Sequence, residues 1–164
     1  MKYSIIILFI GCLIASCNSE PKQSNNKLAP PKEQKKAPKK GEEVTIELGA
    51  GDDMQYDTKL IKVKEGQVIT VNLTHKGVME EKMMGHNFVL LKQYTDVADF
   101  AAKATAAHEN EYIPKSDNII AYTEMIGGGE STSVTFDAPE KGVYDFICSF
   151  PGHYGLMNGK LIVQ

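Results

Sequence analysis

From Glu43 the chain settles into a period of two. Val44-Thr-Ile46-Glu-Leu48 alternates apolar and polar side chains, so every second residue faces one side, as in a half-buried strand. Gly49-Ala-Gly-Asp-Asp53 then turns the chain. Lys59–Lys64 repeats the alternation and closes at Glu65-Gly66. Val68-Ile-Thr-Val-Asn-Leu-Thr74 is dense in β-branched residues, which suit a pleated surface. Further strands are predicted at Asn87–Leu91, Asn118–Thr123, Ser131–Phe136, Val143–Cys148 and Lys160–Gln164. One stretch breaks the rhythm. Across Thr95–His108, Val97, Phe100, Ala101, Ala104 and His108 recur on one helical face, and Thr95 or Asp96 can cap the first turn. The predicted architecture is all-β. It is a Greek-key β-sandwich of seven or eight short strands, with one short inserted helix around residues 95–108.

The stretch before Glu43 follows different rules. Met1–Ser16 carries Lys2, an apolar run from Ile5 to Ile14, and Ala15-Ser16. This reads as an export signal. Its apolar run is too short for a membrane-spanning helix, which needs about 20 residues. Ile14-Ala15-Ser16-Cys17 resembles the bacterial lipobox. That resemblance implies cleavage before Cys17, lipidation of Cys17, and loss of Cys12 with the leader. Residues 17–41 are then a lipidated cysteine and a Lys/Pro-rich linker, with Leu28 the linker's only large apolar side chain. Such a segment cannot bury enough surface to fold and reads as a disordered spacer. The sharper alternative rests its lysines on anionic lipid headgroups or an acidic partner. Residues 18–41 hold seven Lys against two Glu, whereas residues 42–164 hold ten Lys against nineteen Asp and Glu. The acidic domain argues against nucleic acid as a partner.

With Cys12 and Cys17 accounted for, Cys148 is the one thiol left to the folded domain, residues 42–164. It opens Cys148-Ser-Phe-Pro-Gly-His153-Tyr-Gly-Leu-Met157, where Pro151-Gly152 and then Asn158-Gly159 turn the chain between two strands. A thiolate, an imidazole and a thioether within ten residues can converge on one point. Cysteine, histidines and a weak, distant methionine make up the ligand set of a blue-copper site. The second histidine must come from elsewhere among His75, His86 and His108. His86 stands in Met83-Met-Gly-His-Asn-Phe-Val-Leu90, where a strand begins, and suits a remote ligand. Taken singly, Cys148 would be an ordinary buried thiol and the methionines core filler. The combined spacing favours copper, one ion per domain.

Gly85-His86-Asn87 together with Cys148-x4-His153-x3-Met157 resembles the azurin branch of the cupredoxins. The likeness runs from about Val44 to Val163 and includes Thr70-Val-Asn-Leu-Thr-His75, Ser133-Val-Thr-Phe-Asp137 and Phe150-Pro-Gly-His153. It implies that His86, Cys148 and His153 are the equatorial ligands. It implies that Met157 is a long axial ligand and the Gly85 carbonyl a weaker one. Asn87 and Phe150 would lend backbone N–H groups to the Cys148 sulfur, and His75 would be a non-ligand histidine. Three departures stand out. Val44 and Gly66 occupy the positions of a disulfide usual in azurins, which predicts a less firmly anchored first strand. Phe88 takes the place of a frequent core tryptophan. Tyr154-Gly155 replaces small residues, which predicts a bulkier rim around the site.

The azurin resemblance implies a single-electron carrier, and the lipobox resemblance a lipid anchor that holds it in the bacterial cell envelope, on the periplasmic side or at the outer membrane. It would act as a monomer between redox proteins such as c-type cytochromes and copper or haem reductases. Electrons would pass through the His153 edge, inside an apolar rim formed by Phe150, Pro151 and Leu156 and joined by Met79 and Met84. The residues offer no open metal position and no further acid–base or nucleophile pair, so enzymatic turnover is not expected. The competing readings are a copper carrier or buffer lipoprotein, and a structural lipoprotein built on the same scaffold.

Overall fold

The computed structural model describes residues 41–164; the leader, Cys17 and most of the linker lie outside the described residues. Eight strands form two sheets. They are β1 (Glu43–Ala50), β2 (Leu60–Val63), β3 (Val68–His75), β4 (Val89–Leu91), β5 (Ile119–Tyr122), β6 (Ser131–Asp137), β7 (Gly142–Ile147) and β8 (Asn158–Val163). The smaller sheet has the order β1-β3-β6 and the larger β2-β8-β7-β4-β5, so the chain crosses repeatedly between layers, as a Greek key requires. The alternating residues behave as their pattern dictates. Leu48, Ile69, Val71 and Leu73 from the smaller sheet face Ile61, Leu90, Phe146 and Leu161 from the larger, and all are buried. Thr70, Asn72 and Thr74 point outward and pair side chain to side chain with Thr135, Glu47 and Ser131.

Two pairings are parallel, β1 with β3 and β2 with β8. The first runs in register from Glu43↔Val68 to Ala50↔His75. Hydrogen bonding along its whole length anchors β1 without a disulfide. Val44, half-buried, packs on the core from this strand.

Strand β4 explains why Phe88–Leu91 is apolar without alternation. Phe88 and Leu90 enter the central core, while Val89 and Leu91 join Phe100, Ala104, Ile113 and Ile147 on the outer face. Helix α2 (Val97–Ala106) covers that face, so both sides of the strand are dry. Asp96 is its N-cap and accepts the Asp99 N–H at 3.0 Å. The helix ends two residues before His108, which lies exposed in a 3₁₀ turn. Tyr154 packs half-buried against the cluster under α2. A one-turn helix, α1 (Glu81–Met84), precedes Gly85; its four residues are too few to leave a periodic signature. Among the described residues no helix is long and apolar enough to cross a membrane.

Candidate metal centre

Strand register assembles the site. Val89 pairs with Ile147 and Leu90 with Phe146 in antiparallel β4 and β7. Continuing that register toward the strand ends brings Asn87 opposite Ser149 and sets His86 beside the loop that follows Cys148. The loop is closed at its base by Cys148 N–H donating to Met157 O at 3.0 Å. Inside it, His153 N–H donates to Phe150 O at 3.1 Å, and Met157 N–H to His153 O at 2.8 Å. Gly152 takes φ +82°, a left-handed turn that an L side chain would strain. Gly85 is required for a different reason: a Cβ there would come within 2.6 Å of Glu81 O and 3.0 Å of the Met125 sulfur.

Three side chains converge. One potential ligand atom each from His86, Cys148 and His153 lies within 4.8 Å of the others, and all three residues are buried. Cys148 Sγ is 3.6 Å from His153 Nδ1 and 3.8 Å from Gly85 O. His86 Nε2–H donates to Gly51 O at 2.9 Å, which leaves the Nδ1 lone pair free. Among the described residues, His86 Nδ1 is the buried side-chain polar atom without a hydrogen-bond partner. A buried acceptor is costly to leave unpaired, and a cation would satisfy it.

The electrostatics point the same way. Burial pushes the Cys148 thiol up to about 12, even though backbone N–H groups of Asn87 and Phe150 donate to its sulfur and pull the other way. The thiolate therefore needs a cation. Burial, with His86 and His75 nearby, pushes His153 down to about 4. Burial likewise lowers His86, against the hydrogen bond to Gly51. Both imidazoles are thus neutral near pH 7, with lone pairs available. One soft anion and two imidazoles suit copper.

The surroundings are rigid. His86 exchanges both backbone hydrogen bonds with Ile126, at 3.0 and 2.9 Å. Asn87 Oδ1 accepts Ser149 N–H at 2.9 Å, and its Nδ2 donates to Ser149 Oγ at 2.8 Å. Tyr56 Oη–H donates to Asn87 O at 2.5 Å. These partners lie far apart in sequence and carry no motif, so sequence reading did not find Gly51, Tyr56, Ile126 or Ser149. His75 is not a ligand of the cluster. It stacks on His86 with ring centroids 4.3 Å apart, accepts Gly77 N–H at Nδ1 and donates from Nε2 to Met84 O. Met157 is fully buried at the loop's end, and His153 at 3% is less buried than His86, Cys148 or Met157. Met79, Met83, Val78 and Leu156, from the segments flanking these loops, are exposed, whereas Met84 is half-buried.

A sandwich that gathers one thiol and two neutral imidazoles at a buried point is a cupredoxin-type copper protein. The family model of copper-binding proteins, plastocyanin/azurin family, matches residues 25–164. Azurin-1 of Alcaligenes xylosoxydans xylosoxydans is 42% identical over 124 residues, 73% of this chain and 96% of its own. Azurin of Bordetella pertussis is 41% identical over 130 residues, 76% of this chain and 87% of its own. Among solved structures, reduced auracyanin of Roseiflexus castenholzii superposes with a TM-score of 0.68 at 37% identity, covering 76% of this chain and 99% of its own. The chain belongs to the plastocyanin/azurin family of copper-binding proteins, and it is a blue-copper electron-transfer protein.

Proposed function

We propose that the protein is a lipid-tethered, azurin-like carrier that shuttles single electrons between redox proteins of the bacterial cell envelope. The observation behind this reading is the free, buried Nδ1 of His86 beside Cys148 and His153. Copper bound there would supply the Cu(II)/Cu(I) couple. His86, Cys148 and His153 would hold the ion in this reading, with Met157 and the Gly85 carbonyl as weaker contacts. The Asn87 and Phe150 N–H groups would withdraw charge from the sulfur and raise the reduction potential. The hydrogen bonds that pin His86 and Asn87 keep the ligands from rearranging between oxidation states.

His153, the least buried of these four side chains, is the exit for the electron. The exposed Val78, Met79, Met83 and Leu156 suit brief contact with an apolar partner face on a small interface. Partners of that kind include c-type cytochromes and copper or haem reductases. The strand end at which the described residues begin suits a tether. Glu42 O accepts Val68 N–H at the start of β1, while the far end of β1 leads to Gly51, which holds His86. Eight strand residues, roughly 26 Å, separate the two ends. A lipid on Cys17 would therefore hold the domain by the end away from its metal centre, through a linker spanning on the order of 25–30 Å.

Two experiments test the reading. Adding Cu(II) to the purified domain should produce an intense blue charge-transfer band that Cys148→Ser abolishes; a colourless product, or colour that survives the substitution, refutes copper–thiolate ligation. A chain expressed with its leader should partition into detergent and, by mass spectrometry, begin at an acylated Cys17; a mature chain without acyl groups on Cys17 refutes the lipid anchor.

A further inference from the structure

The turn after α2 holds two consecutive non-glycine residues in the left-handed region, Glu111 at φ +50° and Tyr112 at φ +60°. L side chains resist that conformation, and it persists where surrounding contacts over-determine it. Backbone bonds close the turn: Tyr112 N–H donates to Ala107 O at 3.1 Å and Ile113 N–H to Asn110 O at 2.8 Å. The more telling contacts are made by the two side chains.

Glu111 Oε2 accepts the Met125 N–H at 3.1 Å. The next residue, Ile126, is the one whose backbone carries both hydrogen bonds to His86. Met125's own side chain packs against Gly85, as the 3.0 Å approach of its sulfur to a Cβ built there shows. Tyr112 takes the other route. Its ring meets Phe150 edge-on, with centroids 5.2 Å apart, and the Phe150 ring lies 4.6 Å from that of His153. Thus two adjacent residues reach His86 by one path and His153 by another.

We propose that the Glu111–Tyr112 turn is a positioning device for the metal centre, with Tyr112 its main element. Tyr112 holds Phe150 over the His153 ring and keeps water from that side. Glu111 holds the Met125–Ile126 segment against His86. The inference rests on the copper reading given above. With the Tyr112 ring gone, Phe150 loses its edge contact and water reaches the His153 face. A wetter, more polar site favours the oxidation state of higher net charge, which is the oxidised one, so the reduction potential falls.

The test uses the copper-loaded domain and four chains: the parent, Tyr112→Leu, Tyr112→Phe and Glu111→Ala. Reduction potential and electron-spin-resonance hyperfine splitting are read on each, with melting of the metal-free protein alongside. Tyr112→Leu keeps apolar bulk without the aromatic edge. It should lower the Cu(I)-over-Cu(II) affinity ratio three- to tenfold, roughly 30–60 mV at 59 mV per decade for one electron. Tyr112→Phe should restore the parent value. Glu111→Ala, at an exposed position, should speed Met125 amide exchange at least tenfold and shift the same ratio at least threefold. A Tyr112→Leu protein that melts lower while its potential and hyperfine splitting stay at the parent values overturns the proposal, because the residue would then be structural only. Should Tyr112→Leu fail to fold, an unchanged potential in Glu111→Ala overturns it instead. Absence of blue colour in the parent sinks the copper reading itself, an outcome distinct from a blue parent with unmoved variants.

Discussion

Asn87 is the staple between the strand that carries His86 and the loop that carries Cys148 and His153, and Asn87→Ala tests how much that staple is worth. Asn87 is fully buried and Ser149 is 2% exposed. Truncation removes the acceptor of the Ser149 N–H and the donor to the Ser149 hydroxyl. A buried group left unpaired costs about 1–3 kcal/mol. The hydroxyl can rotate in search of another partner and the amide cannot. The expected loss is therefore about 2–4 kcal/mol, a large part of the roughly 5–15 kcal/mol that a domain has in hand. For a domain of this size each kcal/mol shifts the melting temperature by roughly 3–5 °C, so the melt should fall by roughly 6–20 °C. Ser149→Ala leaves its own N–H on Asn87 Oδ1 and should cost less, about 1–2 kcal/mol. The assay is urea unfolding of the metal-free protein for both single variants and the double variant. Contacting residues in one network should show a coupling energy of about 0.5–3 kcal/mol. A loss below about 1 kcal/mol for Asn87→Ala, or no coupling in the cycle, would refute the staple.

Other outcomes follow from the same coordinates of charge and packing. Burial works to raise the Asp57 carboxyl, but the Lys76 ammonium and the Gly49 N–H outweigh it and hold the group below its ordinary value. A lowered carboxylate contributes stability above its unfolded value, near pH 4, and loses it as pH falls through the folded one. Asp57→Asn should therefore trail the parent by less than about 1 kcal/mol at pH 6, since the pair is largely exposed, with the gap closing below about pH 4; urea titrations from pH 3 to 7 check this, and a gap that widens toward acid contradicts it. Phe88 is fully buried against Phe146, ring centroids 5.3 Å apart, so Phe88→Ala should cost about 3–5 kcal/mol in a thermal or chemical melt. Asp96→Ala removes the cap of α2 and should cost about 1 kcal/mol while leaving the visible spectrum of the copper-loaded domain unchanged, which melts and absorbance read together.

Much of this protein is written locally. Period-two stretches such as Val44–Leu48 and Ser131–Phe136 specify strands because alternate side chains must part between core and water. The run Cys148-x4-His153-x3-Met157 keeps three soft donors within one loop by connectivity alone, and Gly85-His86 at a strand's start marked the remote histidine. The structure brings His86, Cys148 and His153 of that set into one cluster. Local pattern had no hold on the parallel pairings of β1 with β3 and β2 with β8, because a strand's sequence does not encode its neighbour's direction. Nor could it select the free nitrogen of His86: that choice belongs to the carbonyl of Gly51, 35 positions away. The Asn87–Ser149 staple spans 62 positions, and the two routes from Glu111 and Tyr112 to the histidines exist only once four segments have packed. Donor identity and loop spacing are properties of neighbouring residues. Lone-pair direction, dryness and the stiffness of the ligand frame come from hydrogen bonds and packing between distant ones, which is why tertiary structure alone decides them.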